Sequence, residues 1–255
     1  MAIRRDEAII LRTREYSESD RLITFFSKSQ GQLTGIAKGA RRSKKRFVHT
    51  LEPFSHVFIT YADRSTSGLV RIDASELNEP FTSLRSDIIR MGFSSLACEI
   101  VLGMSPERQA NPPLFGLLYS FLKQVDLGAD PEDSSLLFQI RMLSLSGYGP
   151  NLQNCSHCGR DVTAGQTWFF SIAQGGLVCT NHRPGGDLYP LSLGTIMLLR
   201  HAQQLPPSKL WRLRFHRQSR DQCRFLLLDL IRHHLEKDLK SLKLLYQTGA
   251  LQPRQ

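Results

Sequence analysis

Two short spacings constrain this chain more than any other feature. Cys155-Ser-His-Cys158 is followed after 20 residues by Cys179-Thr-Asn-His182, giving the pattern C-x2-C-x20-C-x2-H. A two-residue gap lets the backbone turn tightly enough to aim two soft ligands at one point, and two such pairs complete the tetrahedron that Zn(II) accepts. The four residues are therefore expected to hold one zinc ion. Gly159 and Gly185-Gly186 supply turn residues after each pair, and Gln166–Phe170 can pair with Gly176–Val178 as a supporting hairpin. His157 competes as a ligand, but adjacent positions point apart and His182 reproduces the two-residue spacing. Four protein ligands leave no open coordination position, so the expected role is structural.

Ahead of that module lies a run of short β-prone segments: Glu7–Thr13, Arg21–Ser27, Gln32–Lys38, Phe54–Tyr61 and Gly68–Ala74. They are rich in Ile, Leu, Phe, Val and Thr, and Gly31, Gly35, Gly39 and the Asp63–Gly68 stretch punctuate them. Five strands in about 80 residues suit a small barrel, for which the OB-fold and the SH3-like barrel are both solutions. From Glu79-Pro80 the apolar period becomes helical: Ile89, Phe93, Leu96 and Ile100 form one stripe, and Leu114, Leu117, Leu118, Phe121, Leu122 and Val125 a second. A third helix runs from Asp133-Ser134 through Leu143. After the cysteine module come a helix over Leu193–Gln204 and a long one from about Ser219 to Leu245, striped by Leu228, Ile231, Leu235, Leu239 and Leu242. Cys98 and Cys223 fall on helical stripes and read as core thiols.

The formal charge of +10 is unevenly placed. Residues 1–50 hold 12 basic against 5 acidic side chains, residues 51–199 hold 9 against 14, and residues 200–255 hold 12 against 4. Both ends are basic around an acidic middle, which points to a polyanionic partner held by both ends. The densest run is Lys38-Gly-Ala-Arg41-Arg42-Ser-Lys44-Lys45-Arg46, immediately after a predicted strand. A solvated charge run is the ordinary reading of such a segment. Here the neighbouring glycine and the barrel setting favour binding, because loops between barrel strands line nucleic-acid grooves. Arg212, Arg214, Arg217 and Arg220, with Lys209, His216 and Arg224, make a second cluster. Phe47, His49, Phe54 and Phe58 lie nearby, and none is assigned to base stacking, since most barrel phenylalanines are core.

Signals for catalysis are thin. Gly31-Gln-Leu-Thr-Gly-Ile-Ala-Lys38-Gly lacks the phosphate-loop spacing, and no G-x-S-x-G or H-E-x-x-H occurs. His234-Leu-Glu236 stands downstream of the cysteines, and Asn154 rather than proline precedes Cys155, which argues against a zinc deaminase. Asp130, Glu132 and Asp133 sit in a polar turn, where solvation or helix capping explains them. No catalytic residue is assigned. No apolar run approaches the roughly 20 residues needed to span a bilayer, and no secretory signal is read at the N-terminus. A reducing cytoplasm is expected, with the five cysteines as thiols or ligands.

In this order, the motifs resemble the RecO family of bacterial recombination and repair proteins along nearly the whole chain. The resemblance rests on Tyr16-Ser-Glu-Ser-Asp20-Arg-Leu-Ile-Thr-Phe-Phe26, Gly31, Lys38-Gly-Ala-Arg-Arg42, the cysteine module, and Arg232-His-His-Leu-Glu-Lys-Asp-Leu-Lys240-Ser. It implies an α+β protein: an N-terminal OB-fold over 1–79, an α-helical domain over 80–150 and 188–246, an inserted zinc-ribbon-like module over 151–187, and a tail over 247–255. It also implies binding of single- and double-stranded DNA, annealing of complementary strands, and help in loading the RecA recombinase onto DNA coated by single-strand-binding protein. RecR and the C-terminal tail of single-strand-binding protein are the implied partners, and a cytoplasmic, nucleoid-associated location follows. The competing reading is a zinc-ribbon adaptor whose basic ends bind RNA or an acidic protein. A metal-dependent nuclease would need clustered carboxylates that the sequence does not offer.

Overall fold

The computed structural model describes residues 3–63, 68–183 and 185–252. The turn expected over Asp63–Gly68 and the tail expected over 247–255 thus fall partly outside the described residues. The chain divides into two compact units, residues 1–128 and 129–255.

Unit one opens with the strands β1 (Ile3–Glu15), β2 (Arg21–Ser27), β3 (Gly31–Ala37), β4 (His56–Ala62) and β5 (Val70–Glu79). They close into a barrel in the order β1-β2-β3-β5-β4, and β3 runs parallel to β5 with Gly35 opposite Val70 and Ala37 opposite Ile72. That Greek-key closure is the OB-fold, so the α+β class expected from the sequence is the one observed. β1 is longer than its apolar pattern suggests because it serves two neighbours. Its first half, Ile3–Ile9, pairs with β4, and its second, Ala8–Glu15, pairs with β2. The charged Arg4-Arg5-Asp6 stretch is strand because β4 supplies its hydrogen bonds, a tertiary effect that local pattern does not reveal.

Alternating residues fill the barrel: Ala8 and Ile10, Ile23 and Phe25, Val57, Ile59 and Tyr61, Val70 and Ile72. Gly35 is required where β3 meets β5. A Cβ there would lie 2.6 Å from Val70 Cγ2 and 2.8 Å from Val70 O. Any side chain would prise open the closing pair. The opposite faces of β1 and β2 are also buried, with Ile9 and Phe26 inaccessible. This explains their unbroken apolar runs. The unit is completed by a short turn of helix α1 (Thr82–Arg85), then α2 (Ile88–Met104) and α3 (Pro112–Asp126). Asp87 caps α2 by accepting from Ile89 N and Arg90 N, and Asn111 caps α3 ahead of Pro112.

Unit two is built from α4 (Pro131–Leu145), a sheet of β6 (Trp168–Ser171), β7 (Gly176–Cys179) and β8 (Leu188–Leu191), and α5 (Leu193–Gln204), α6 (Pro207–Leu210), α7 (Arg217–Leu235) and α8 (Leu242–Gln247). Helix α4 packs on α5 and α7. Asp130 caps α4, accepting from Asp133 N at 2.8 Å. Glu132 and Asp133, by contrast, are neither caps nor solvated. Glu132 Oε1 lies 2.6 Å from Arg224 Nε, and Asp133 Oδ1 2.8 Å from Arg220 Nε.

The long helix expected over Ser219–Leu245 is two helices. Glu236 takes a left-handed conformation (φ 52°) and ends α7. Leu239, Leu242 and Leu245 are nevertheless buried. An apolar spacing of three or four is met equally well by two helices and a turn, and no Gly or Pro marks the break. Cys98 on α2 and Cys223 on α7 are buried. Burial pushes the Cys98 thiol up to about 12 and the Cys223 thiol up as well, so neither presents thiolate at neutral pH. None of the described helices is long and apolar enough to cross a membrane.

Candidate metal centre and basic surfaces

The first cysteine pair is shaped by its own backbone. Gly159 N donates to Cys155 O at 2.9 Å and Cys155 N to Arg160 O at 2.8 Å, while Ser156 N donates to Leu177 O at 2.7 Å and ties the turn to β7. Strand β7 ends at Cys179, and a 3-10 turn over Thr180–His182 brings His182 back. The ligand atoms of Cys155, Cys158, Cys179 and His182 lie within 4.8 Å of one another. Cys158 Sγ is 3.9 Å from Cys179 Sγ. Two thiolates on a tetrahedral zinc, each about 2.3 Å from the metal, stand roughly 3.8 Å apart. His182 presents Nδ1, 3.2 Å from Cys179 Sγ, while the His157 ring stacks on that of His182 at 4.3 Å between centroids.

Geometry and donor set fit a tetrahedral soft-ligand ion. Cys155 and Cys179 are buried, His182 is partly covered, and Cys158 is exposed. Burial pushes the Cys155 thiol up, but the backbone N–H groups of Cys158, Cys179 and His157 outweigh it and bring it down to about 7. Burial raises the Cys179 thiol. The backbone thus favours the thiolate, the metal-binding form, at the innermost cysteine.

The sheet behind the ligands is larger than the hairpin expected from sequence. β6 pairs with β7 as anticipated, Trp168 opposite Cys179, and on its other edge with β8, Phe169 opposite Pro190. A proline is tolerated on an edge strand, which is why the pattern around Leu188–Leu191 did not announce one. Two further residues escaped sequence reasoning. Arg200 on α5 donates to Leu152 O and Gln153 O, both at 2.6 Å, and so holds the segment that leads into Cys155. Gly176 lets that segment pass close to β7: a Cβ there would lie 2.4 Å from Ser156 Oγ and 3.0 Å from Asn151 O. Gly176→Ala is therefore expected to destabilise unit two by about 1–3 kcal/mol, as overpacking does, and to speed metal loss to EDTA. Gly116→Ala on α3, with nothing within 4 Å, is the control. Equal melting and metal retention for Gly176→Ala and wild type would show the approach to be slack.

In the basic loop, Lys38, Arg41, Arg42, Lys44, Lys45 and Arg46 carry their charge at the surface. The loop is nonetheless anchored. Phe47 and Leu51 belong to the barrel core and Phe54 is buried. Ser75 N donates to Arg46 O at 2.9 Å, and Arg46 Nη2 donates to Lys38 O at 2.9 Å with its guanidinium over the Phe47 ring. Arg46 therefore closes the loop as well as charging it. On unit two, Arg212, Arg214 and Arg217 stand at the surface. Arg214 Nη1 donates to Trp211 O at 2.7 Å, and Arg220 is drawn into the ion pair with Asp133. Helix α7 starts without a side-chain cap or an acidic residue in its first turn, leaving its positive dipole end beside Arg217. The two clusters belong to different units.

Comparison with known proteins covers nearly the whole chain. The family described as Recombination protein O N terminal matches residues 1–81, and that described as Recombination protein O C terminal matches residues 85–243. A protein named DNA repair protein RecO from Syntrophobacter fumaroxidans is 44% identical over 248 residues, spanning 97% of this chain and 98% of that one. Proteins of the same name from Syntrophus aciditrophicus and Syntrophotalea carbinolica are 36% and 35% identical, over 96% and 94% of this chain and 95% and 93% of their own.

Proposed function

The chain belongs to the RecO family of DNA repair proteins, and from that premise we propose that it is a non-enzymatic recombination mediator acting on cytoplasmic, nucleoid DNA. It binds single- and double-stranded DNA, anneals complementary strands and helps load RecA onto DNA coated by single-strand-binding protein. RecR and the C-terminal tail of single-strand-binding protein are its direct protein partners, and RecA is reached indirectly. The observation that carries this reading is the anchored surface run of six cations from Lys38 to Arg46 on an OB barrel.

Physics supplies the mechanism. Complementary strands repel through their phosphates, and neutralising those phosphates lowers the cost of bringing them together. The loop on unit one engages backbone, as do Arg212, Arg214 and Arg217 at the start of α7, leaving base edges free. Base pairing then drives annealing. Arg220 contributes mainly by holding α7 to α4, its charge largely matched by Asp133. Cys155, Cys158, Cys179 and His182 hold one Zn(II), whose contribution is to cross-link the turn, β7 and the segment before them.

The test is annealing of complementary oligonucleotides, with and without single-strand-binding protein, across a salt titration. Affinity should fall linearly in log–log form, by about 0.7 in slope per neutralised phosphate on single strands. Structured RNA added as competitor should displace DNA poorly. A flat salt response, or stronger competition by RNA than by single-stranded DNA, would overturn the assignment.

A further inference from the structure

The loop between β1 and β2, residues 16–20, has no role in the reading above, yet hydrogen bonds fasten it to the basic loop. Tyr16 N donates to Asp20 O at 3.1 Å and closes the turn. The Asp20 carboxylate then reaches across: Gly39 N donates to Asp20 Oδ1 at 2.8 Å, and Ser19 Oγ to the same oxygen at 2.9 Å. Arg41 N donates to Ser19 O at 3.0 Å. On the other side of Tyr16, Glu15 Oε1 lies 3.5 Å from Arg41 Nη2. Arg41 thus touches residues flanking Tyr16 on both sides. The backbone N–H of Gly39 and the Ser19 hydroxyl hold the Asp20 carboxyl below its ordinary value, consistent with a carboxylate at neutral pH.

Tyr16 itself is 54% exposed. A single exposed ring is ordinary by itself; this one is joined through Glu15 and Ser19 to Arg41 of the cationic run, where an exposed aromatic face can take a base. The phenylalanines near the loop are accounted for, while His49 is exposed as Tyr16 is. Phe47 and Phe54 are 5% and 4% exposed, and the half-covered Phe58 already carries the Arg5 guanidinium 5.0 Å above its ring. Bases of single strands stack on exposed aromatic faces next to cationic grooves, whereas paired bases do not offer their faces.

We infer that Tyr16 is a stacking platform for an unpaired base, and that Asp20 is a positioning residue that holds this platform beside Arg41 and Arg42. The inference deepens the DNA-binding reading and rests on it. The ligand it adds is the face of a nucleobase; the basic loop by itself recognises only phosphate. Such a site distinguishes single strands from duplex, a discrimination that phosphate contacts alone do not provide.

Two labelled probes of equal length and charge separate the cases: an oligothymidylate of about 20 nucleotides, and an abasic sugar-phosphate oligomer. The wild-type protein should bind oligothymidylate roughly tenfold tighter than the abasic strand, within the range expected for one stacked base. Tyr16→Ala should erase that ratio while leaving abasic affinity unchanged, and Tyr16→Phe should keep it, because the ring rather than the hydroxyl stacks. Asp20→Ala should lower the ratio, whereas Asp20→Asn, which removes the charge but keeps an acceptor for Gly39 N, should retain it. A wild-type ratio near one, or an unchanged ratio in Tyr16→Ala, overturns the stacking platform and leaves phosphate binding standing. A ratio that falls equally in Asp20→Asn and Asp20→Ala overturns the positioning role. Failure of the wild type to bind either probe overturns both this inference and the function it rests on.

Discussion

Replacing Cys155 by serine is expected to strip the metal and lower the melting temperature of unit two by roughly 10–20 °C, an effect of about 4 kcal/mol or more. Cys155 is the most deeply buried of the four candidate ligands, at 1% exposure. Its neighbours Ser156 and Cys179 are hydrogen-bonded to Leu177 O and to its own sulfur. The damage would not stay local. Arg200 joins the segment before Cys155 to α5, and β8 packs against α7, where the Tyr189 hydroxyl donates to Asp229. Differential scanning calorimetry with metal analysis on the same sample checks this. Cys158→Ser, at the exposed ligand, should cost less. Retention of the wild-type melting temperature after stoichiometric metal loss would show the ion to be dispensable for the fold. Unit one holds none of the four ligands, so DNA binding by its loop should persist below the melting transition.

The second large effect concerns that loop. Reversing Arg41, Arg42, Lys44 and Lys45 to glutamate should weaken single-stranded DNA binding by roughly three to four orders of magnitude at roughly 50 mM salt, a little under tenfold for each of the four phosphates left without its cation. The salt slope should fall by about 0.7 for each such phosphate, and annealing should fall with affinity. Arg46 is left in place because its guanidinium reaches Lys38 O and covers Phe47; its removal would open the loop and blur the result. The four residues altered face solvent; Arg41 gives up only an exposed ion pair with Glu15, which contributes little to stability, and the backbone hydrogen bonds of the loop do not depend on side-chain charge. Circular dichroism should therefore remain native. A quadruple variant that binds and anneals like wild type would remove the loop from the mechanism.

Local pattern revealed a good deal of this molecule. The ligand spacing needs only backbone turns, and β2 falls on the residues its pattern indicates, Arg21–Ser27. What escaped depended on partners distant in sequence. The first residues of β1 are strand because of β4, and β8 exists because β6 has an open edge. Glu132 and Asp133 meet arginines some 90 positions away, so a polar turn and the second basic cluster turned out to share Arg220. Glu236 ends α7 with no glycine to signal it. Asp20 and Tyr16 stood inside a recognised stretch without a role, since only the folded barrel brings the 16–20 turn to Gly39 and Arg41.

The burial of Phe47 and Leu51 in the barrel core also bears on the rate at which a strand can be captured. A cationic tail must lose its conformational freedom when it meets its ligand, which weakens the complex and slows productive encounters. Here the backbone on either side of the run is already anchored once the barrel has closed. Association should then be governed by diffusion and long-range attraction, with rate constants that rise steeply as ionic strength falls and little lag for rearrangement.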